Sequence, residues 1–128
     1  MARYGVNGFP GDPFLRVPLA FIDLHMADFS GNEVLIILYI LRRTVGFHKE
    51  TDHISLQQFS KGIRRVDGSV LDRGTGIPVR TVARVLADLE ARGVLQRFRG
   101  VRKSTGASVP TRITLNWPLV VGPQDTGG

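Results

Sequence analysis

Arg80, Thr81 and Arg84 are the side chains of this sequence best suited to recognising another molecule. Arginine presents a planar fork of donors that matches a guanine edge or a phosphate with paired hydrogen bonds, and threonine serves several base edges. Arg80 and Arg84 are four residues apart, so on a helix they are neighbours, with Thr81 beside them. That chemistry is recognition, with no bond made or broken. Other sets fare worse. His48, Asp52 and His53 form the one cluster resembling a metal or acid–base site, but histidines five apart in a loop with no third ligand in sequence make a poor one. Gly74-Thr75-Gly76 begins a dinucleotide-type glycine pattern, yet Val79 stands where the third glycine belongs and no long buried strand precedes it. No Walker sequence occurs, and nothing supports a Ser-His-Asp arrangement. The expectation is a non-enzyme with no metal and no cofactor.

The element that must position the two arginines runs from Ile77 to Gly93. Pro78 suits the first turn of a helix, where its missing N–H is not needed, and Gly93 suits a left-handed stop. Val79, Val82, Leu86 and Leu89 recur at spacings of three, four and three and form an apolar stripe widened by Val85. Arg80, Thr81, Arg84 and Asp88 face away from it. A helix with an apolar back and arginines near its N-terminal end has the build of a recognition helix in a major groove, although a solvated amphipathic helix has the same pattern.

Upstream, Pro18 to Ala27 reads as a short helix with Leu19, Ile22 and Met26 facing inward, and His25 as a surface or half-buried side chain. Ser30-Gly31-Asn32-Glu33 is a capping box opening a helix through Val34–Leu41 to Thr44. It is apolar nearly all round and hence the post of the core. Arg42 and Arg43 would complement its dipole, and Gly46 would end it. Asp52 to Ser55 allows a very short strand. Ser55-Leu56-Gln57-Gln58 is a second capping box, starting a helix with Leu56, Phe59 and Ile63 on one side and Gly62 at its end. The connection from there to Pro78 is far longer than a simple helix-turn-helix allows. Asp67-Gly68 between valine-containing flanks signals a hairpin turn, so residues 63–74 are expected to insert a small β-hairpin or ordered loop. Val94–Arg99 and Thr111–Trp117 alternate as half-buried strands around a glycine-rich basic loop.

These pieces predict an α+β fold, mostly α: a winged helix-turn-helix with a small β-wing and an insert between its two helix-turn-helix helices. Residues 1–16 read as an irregular arm that Phe9, Phe14 and Leu15 pin in part to the core, 17–117 as the domain, and 118–128 as a tail or the start of a linker. Arg97, Arg99, Arg102, Lys103 and Arg112 would give the wing a cationic edge for phosphate or the minor groove. Arg64, Arg65 and Arg73 of the insert join them as candidate backbone contacts.

Charge names the class of partner. Residues 1–60 hold five Lys/Arg against six Asp/Glu, whereas residues 61–112 hold twelve against four. A basic second half on a neutral first half points to one surface built for a polyanion. An anionic membrane would call for a lysine-rich amphipathic helix with bulky exposed apolar groups, which is not evident, so double-stranded DNA is the expected partner. The 128 residues suffice for one modest core. With no cysteine, a disulfide scaffold, a zinc ribbon and a thiol nucleophile are excluded. The N-terminus lacks a signal-peptide core, and the longest apolar run, Val34–Leu41, is far short of the ~20 residues of a membrane span. A cytoplasmic protein is expected.

The order Val17-Pro18, Ser30-Gly31, Arg42-Arg43-Thr44-Val45-Gly46-Phe47-His48-Lys49 and Asp52-His53-Ile54-Ser55-Leu56-Gln57-Gln58-Phe59 resembles the N-terminal domain family of phage lambda replication protein O. The chain is similar to it again at Thr75-Gly76-Ile77 and the helix to Gly93, so the resemblance covers about residues 14–98. Its specific part is the Arg-Arg-Thr-x-Gly-Phe-His-Lys stretch. Such domains bind repeated sites in a replication origin, while a separate C-terminal region recruits helicase-loading machinery. The resemblance therefore implies origin binding in phage-type replication initiation, a homodimer fitting the repeated sites, and contact with helicase-loading machinery through a region missing from this chain. The 63–74 insert departs from the family pattern. Two rival expectations stand beside this one: a winged-helix transcriptional regulator, and a winged helix whose arginines meet an acidic protein.

Overall fold

The structure, a computed structural model, describes residues 14–47, 49, 51–101 and 108–116. Ser30 opens helix α1 (Gly31–Arg43) as the capping box requires: the Glu33 amide donates to Ser30 Oγ at 3.2 Å and the Ser30 amide to Glu33 Oε1 at 2.8 Å. Ile36, Ile37, Tyr39, Ile40 and Leu41 are buried, Val34 and Leu38 half-buried and Leu35 exposed, so α1 is the post of the core. It ends at Thr44 rather than at Gly46. The Thr44 amide and hydroxyl both donate to the Ile40 carbonyl, at 2.9 and 2.7 Å, which satisfies the orphan acceptor without a left-handed residue. Gly46 falls inside the 3-10 turn Val45–Phe47 that follows.

Strand β1 (Asp52–His53) leads to α2 (Leu56–Lys61), opened by the Ser55–Gln58 capping box and stopped by Gly62 at φ +83°. Ile63, expected on the inner side of α2, lies past that stop and starts β2 (Ile63–Arg64), which pairs antiparallel with β3 (Val70–Asp72). The insert is thus a hairpin, turned by Gly68 at φ +91° and closed by the Arg65 amide on the Ser69 carbonyl at 2.7 Å. After it the Thr75 and Gly76 amides donate to the carbonyls of Phe59 and Ser60 at 2.8 and 3.0 Å, tying the approach to α3 onto the end of α2.

Helix α3 (Val79–Ala91) follows Pro78, buries Val82, Val85, Leu86 and Leu89 of the predicted stripe with Val79 half-buried, and stops at Gly93 with φ +77°. Strands β4 (Leu95–Val101) and β5 (Ser108–Leu115) pair antiparallel, and β1 joins the free edge of β5, giving a sheet in the order β1-β5-β4. Ile54, Phe59, Ile77, Leu95, Ile113 and Leu115 close the core between this sheet and the helices. Each such side chain contributes about 1.5–3 kcal/mol by leaving water. The result is an α+β fold with a small antiparallel sheet.

The N-terminal helical stretch turns its other side inward. Leu19, Ile22 and Met26, expected inside, are exposed, Leu19 at 76%, while Phe21 is fully buried against Phe29 with ring centroids 6.2 Å apart. The reason is geometric. Phe21–His25 is a wide π turn and Met26–Asp28 a tight 3-10 turn, so the spacing of three and four that holds for an α-helix selects the wrong face. His25 is half-buried, with its Nε2 buried and without a hydrogen-bond partner among the described residues. Leu15 packs on the core, whereas Phe14 is 77% exposed; Phe9 lies outside the described residues.

Candidate nucleic-acid interface

Burying the valine and leucine stripe of α3 forces its opposite arc into solvent, and that arc carries Arg80, Arg84, Ala87, Asp88 and Ala91. Among the described residues Arg80 and Arg84 make no ion pair and no hydrogen bond. Thr81 sits half-buried at the margin of the stripe. The arc is polar along its length: both cations lie in the N-terminal half, where the helix dipole is also positive, and Asp88 lies in the C-terminal half. An anion is therefore favoured at the end of α3 next to Pro78. Ala87 and Ala91 leave the rest of the face low.

Two other cations near α3, Arg92 and Arg97, are committed to carboxylates. Arg92 Nη1 lies 2.9 Å from Glu33 Oε2, fixing the end of α3 to the start of α1, and its guanidinium covers the Phe29 ring at 5.1 Å. Arg84 borders the shallow cleft between these helices, beside Ser30, Asn32, Glu33, Val85 and Asp88. Glu33 offers Arg84 little there, because one oxygen is held by Arg92 and the other by the Ser30 amide.

The strands divide the cations of β4 and β5 by face. Arg97 is paired with Ile113, and Ile113 is buried, so cross-strand register turns Arg97 toward α3. There it meets Glu90 with Nη2 2.9 Å and Nε 3.0 Å from Oε1, and its side chain is only 12% exposed. Arg97 is thus a structural ion pair and not the free wing-edge cation that alternation implies. Arg99, 62% exposed and 3.9 Å from the same oxygen, stays available to an outside phosphate. Arg112 is exposed, and its guanidinium lies over Phe98, its cross-strand partner, at 5.1 Å. Arg102 and Lys103 lie outside the described residues.

On the hairpin, Arg64, Arg65 and Arg73 are all exposed. Arg65 reaches Ser69 Oγ at 3.3 Å, and Arg64 and Arg73 are unpaired among the described residues. Lys61, exposed in the last turn of α2 beside the hairpin, is a cation that motif reading passed over. Phe98 was also missed; the signal for it is that Phe98 and Arg112 stand opposite each other once the two strands are aligned.

Arg43 overturns its assignment as a dipole cation. It is buried and donates to Asp52, Gln58, Tyr39 and the His53 carbonyl, which a solvated last-turn arginine would not do. Asp52 is thereby occupied: Oδ2 accepts from Arg43, and Oδ1 accepts from the His53 amide with Lys49 Nζ 3.7 Å away. Among the described residues no group of His, Asp or Glu could hold a metal ion; His48 lies outside them. Nor is any described helix long and apolar enough to cross a membrane.

No known protein family, no curated protein and no solved structure matches this chain.

Proposed function

We propose that the chain is a winged-helix domain that binds double-stranded DNA in a sequence-specific way, at a replication origin. The order α1, β1, α2, α3, β4, β5 with a sheet ordered β1-β5-β4 fits that fold, α3 being the recognition helix and the β4–β5 loop the wing. One observation carries the reading. Arg43, Arg92 and Arg97 are each held by a carboxylate, while among the described residues Arg80 and Arg84 stand unpaired on the exposed arc of a helix whose other side is core. Arginines left free on a rigid helix are preorganised for a guanine edge. Arg99 and Arg112 then hold the backbone from the sheet side, and Arg64, Arg65 and Arg73 from the hairpin side.

The origin assignment draws on the likeness of residues 14–98 to the phage lambda replication protein O N-terminal domain family. Fluorescence-anisotropy titration against duplexes from the gene's own neighbourhood, with random duplex as control and at two salt concentrations, tests both parts. Tight binding to one repeated segment supports an origin reader. Equal, salt-sensitive binding to every duplex removes the sequence-specific part, and no binding at all favours an acidic protein partner.

A further inference from the structure

None of residues 63–73 is buried, so the β2–β3 hairpin lies outside the core. It leaves the fold at Gly62 and returns at Gly74, and these two backbones touch: a methyl group on Gly74 would lie 2.5 Å from the Gly62 nitrogen. Without the hairpin the path from α2 to α3 would be the short turn Gly-Gly-Thr-Gly-Ile-Pro. The α2–α3 approach therefore survives the insert, and apart from Asp72, which accepts from the Tyr39 hydroxyl, the insert is an appendage to the core.

It is nevertheless stiff. Ser69 donates to Asp67 Oδ1 through its amide at 2.9 Å and its hydroxyl at 2.6 Å, and the Gly68 amide reaches the Arg65 carbonyl at 2.9 Å. At the base, Asp72 accepts from the Gly74 amide at 2.8 Å and from the Tyr39 hydroxyl at 3.0 Å. Both of its carboxylates are held in hydrogen bonds, while Arg64, Arg73 and the adjacent Lys61 are unpaired among the described residues. Next to the arginine pair stands Val66, an apolar side chain 108% exposed. The base of this prong ends at Gly76, four residues before Arg80.

We infer that the hairpin is a second DNA-contacting prong. Arg64, Arg65 and Arg73 clamp the phosphate strand bordering the groove that α3 occupies, and Val66 enters the adjoining minor groove. A minor groove draws arginine by its negative potential and accepts apolar side chains between them. This rests on the reading of α3 as a DNA-binding helix.

The test is hydroxyl-radical footprinting and salt titration of the full chain on its best duplex, beside two variants. One joins Gly62 directly to Gly74; the other is Arg64→Ala, Arg65→Ala and Arg73→Ala together, which changes exposed residues only and covers the case in which the excised chain does not fold. The expected result is loss of protection on one flank of the site and a salt slope shallower by about 2–3, with base preference under α3 unchanged. Val66→Glu should weaken binding several-fold without altering thermal stability; unchanged affinity would take Val66 out of the groove. An unaltered footprint and salt slope in the triple variant would overturn the prong while leaving α3 as the reader. Absence of duplex binding by the intact chain would instead sink the α3 reading, and the prong with it.

Discussion

Arg43 Nε lies 2.9 Å from Asp52 Oδ2, and this pair joins the end of α1 to β1. The same guanidinium donates to Gln58 Oε1 at 3.1 Å and to the His53 carbonyl at 3.0 Å, and touches the Tyr39 hydroxyl at 3.4 Å. Tyr39 in turn donates to Asp72 at the base of the hairpin. One buried cation thus sets the position of β1, of Gln58 in the α2 capping box and of the insert. Since α2 packs on α3, it also sets the aim of Arg80 and Arg84.

Arg43→Ala should cost about 3–5 kcal/mol of folding stability, because it leaves Asp52 and Gln58 half-buried without their partner. Arg43→Lys should recover little of it, since an ammonium cannot reproduce the fork of contacts. Urea denaturation measures both. A fully stable Arg43→Ala protein would show that the network does not hold α2.

Burial raises the Tyr39 hydroxyl above the ordinary range of a phenol; the Arg43 hydrogen bond opposes this and the Asp72 carboxylate adds to it. With the folded value raised, the contribution to stability is complete below about pH 10, where an unfolded tyrosine titrates, and is lost as pH climbs through the folded value. Tyrosinate absorbance in a Tyr4→Phe background isolates Tyr39 and should show it ionising late. A titration at the ordinary phenol position would mean that the hydroxyl is solvated and not bound to Asp72.

How far the sequence revealed this molecule depends on the range of the interaction. Capping boxes, the stripe of α3, the Gly93 stop and the Asp67-Gly68 turn are local rules, and the structure follows them at Ser30, Ser55, Val82–Leu89 and Gly68. The facing of Phe21 was not legible, because periodicity assumes α geometry and this segment is wound otherwise. The partners of Arg43 and Arg97 were not legible either. Asp72 and Gln58 reach the Arg43 network only through tertiary contact, and Glu90 meets Arg97 because β4 folds back along α3. Exposed Arg80 and Arg84 were legible for the opposite reason: nothing distant had to be known, only which side of one helix is apolar.

Arg84→Ala should lower preference for the cognate duplex by about 1–3 kcal/mol while changing binding to random DNA little. Arg112→Ala, on the outer face of the sheet, should weaken all duplexes alike and flatten the salt dependence by about one unit. Competition anisotropy at several salt concentrations separates them. Identical profiles for the two variants would refute the division between base reading and backbone holding.

Arg97 and Arg112 also differ in what they do for the fold. Arg97→Ala strips Glu90 of a well-buried partner and should cost about 1–3 kcal/mol, whereas Arg112→Ala removes an exposed stack on Phe98 and should cost about 0.5–1 kcal/mol. Thermal denaturation orders the pair. A reversed order would make Arg97 a free cation of the sheet rather than the partner of Glu90.

Gly68 and Gly74 both have positive φ, +91° and +69°, so an alanine at either should cost about 1–2 kcal/mol from backbone conformation alone. Their surroundings then separate them. A methyl on Gly68 meets nothing within 4 Å, whereas on Gly74 it would lie 2.5 Å from the Gly62 nitrogen and 2.9 Å from the Lys61 nitrogen and the Phe59 carbonyl oxygen. Those are backbone atoms at the end of α2 and cannot swing aside as a side chain would. Gly74→Ala must therefore pry the hairpin base from α2, break the Thr75 and Gly76 hydrogen bonds there and shift the start of α3. Chemical denaturation should show a loss for Gly74→Ala several kcal/mol larger than for Gly68→Ala, with DNA affinity falling only in the former. Equal losses would mean that the two ends of the hairpin do not touch, and the insert could then no longer be excised without stretching the turn between α2 and α3.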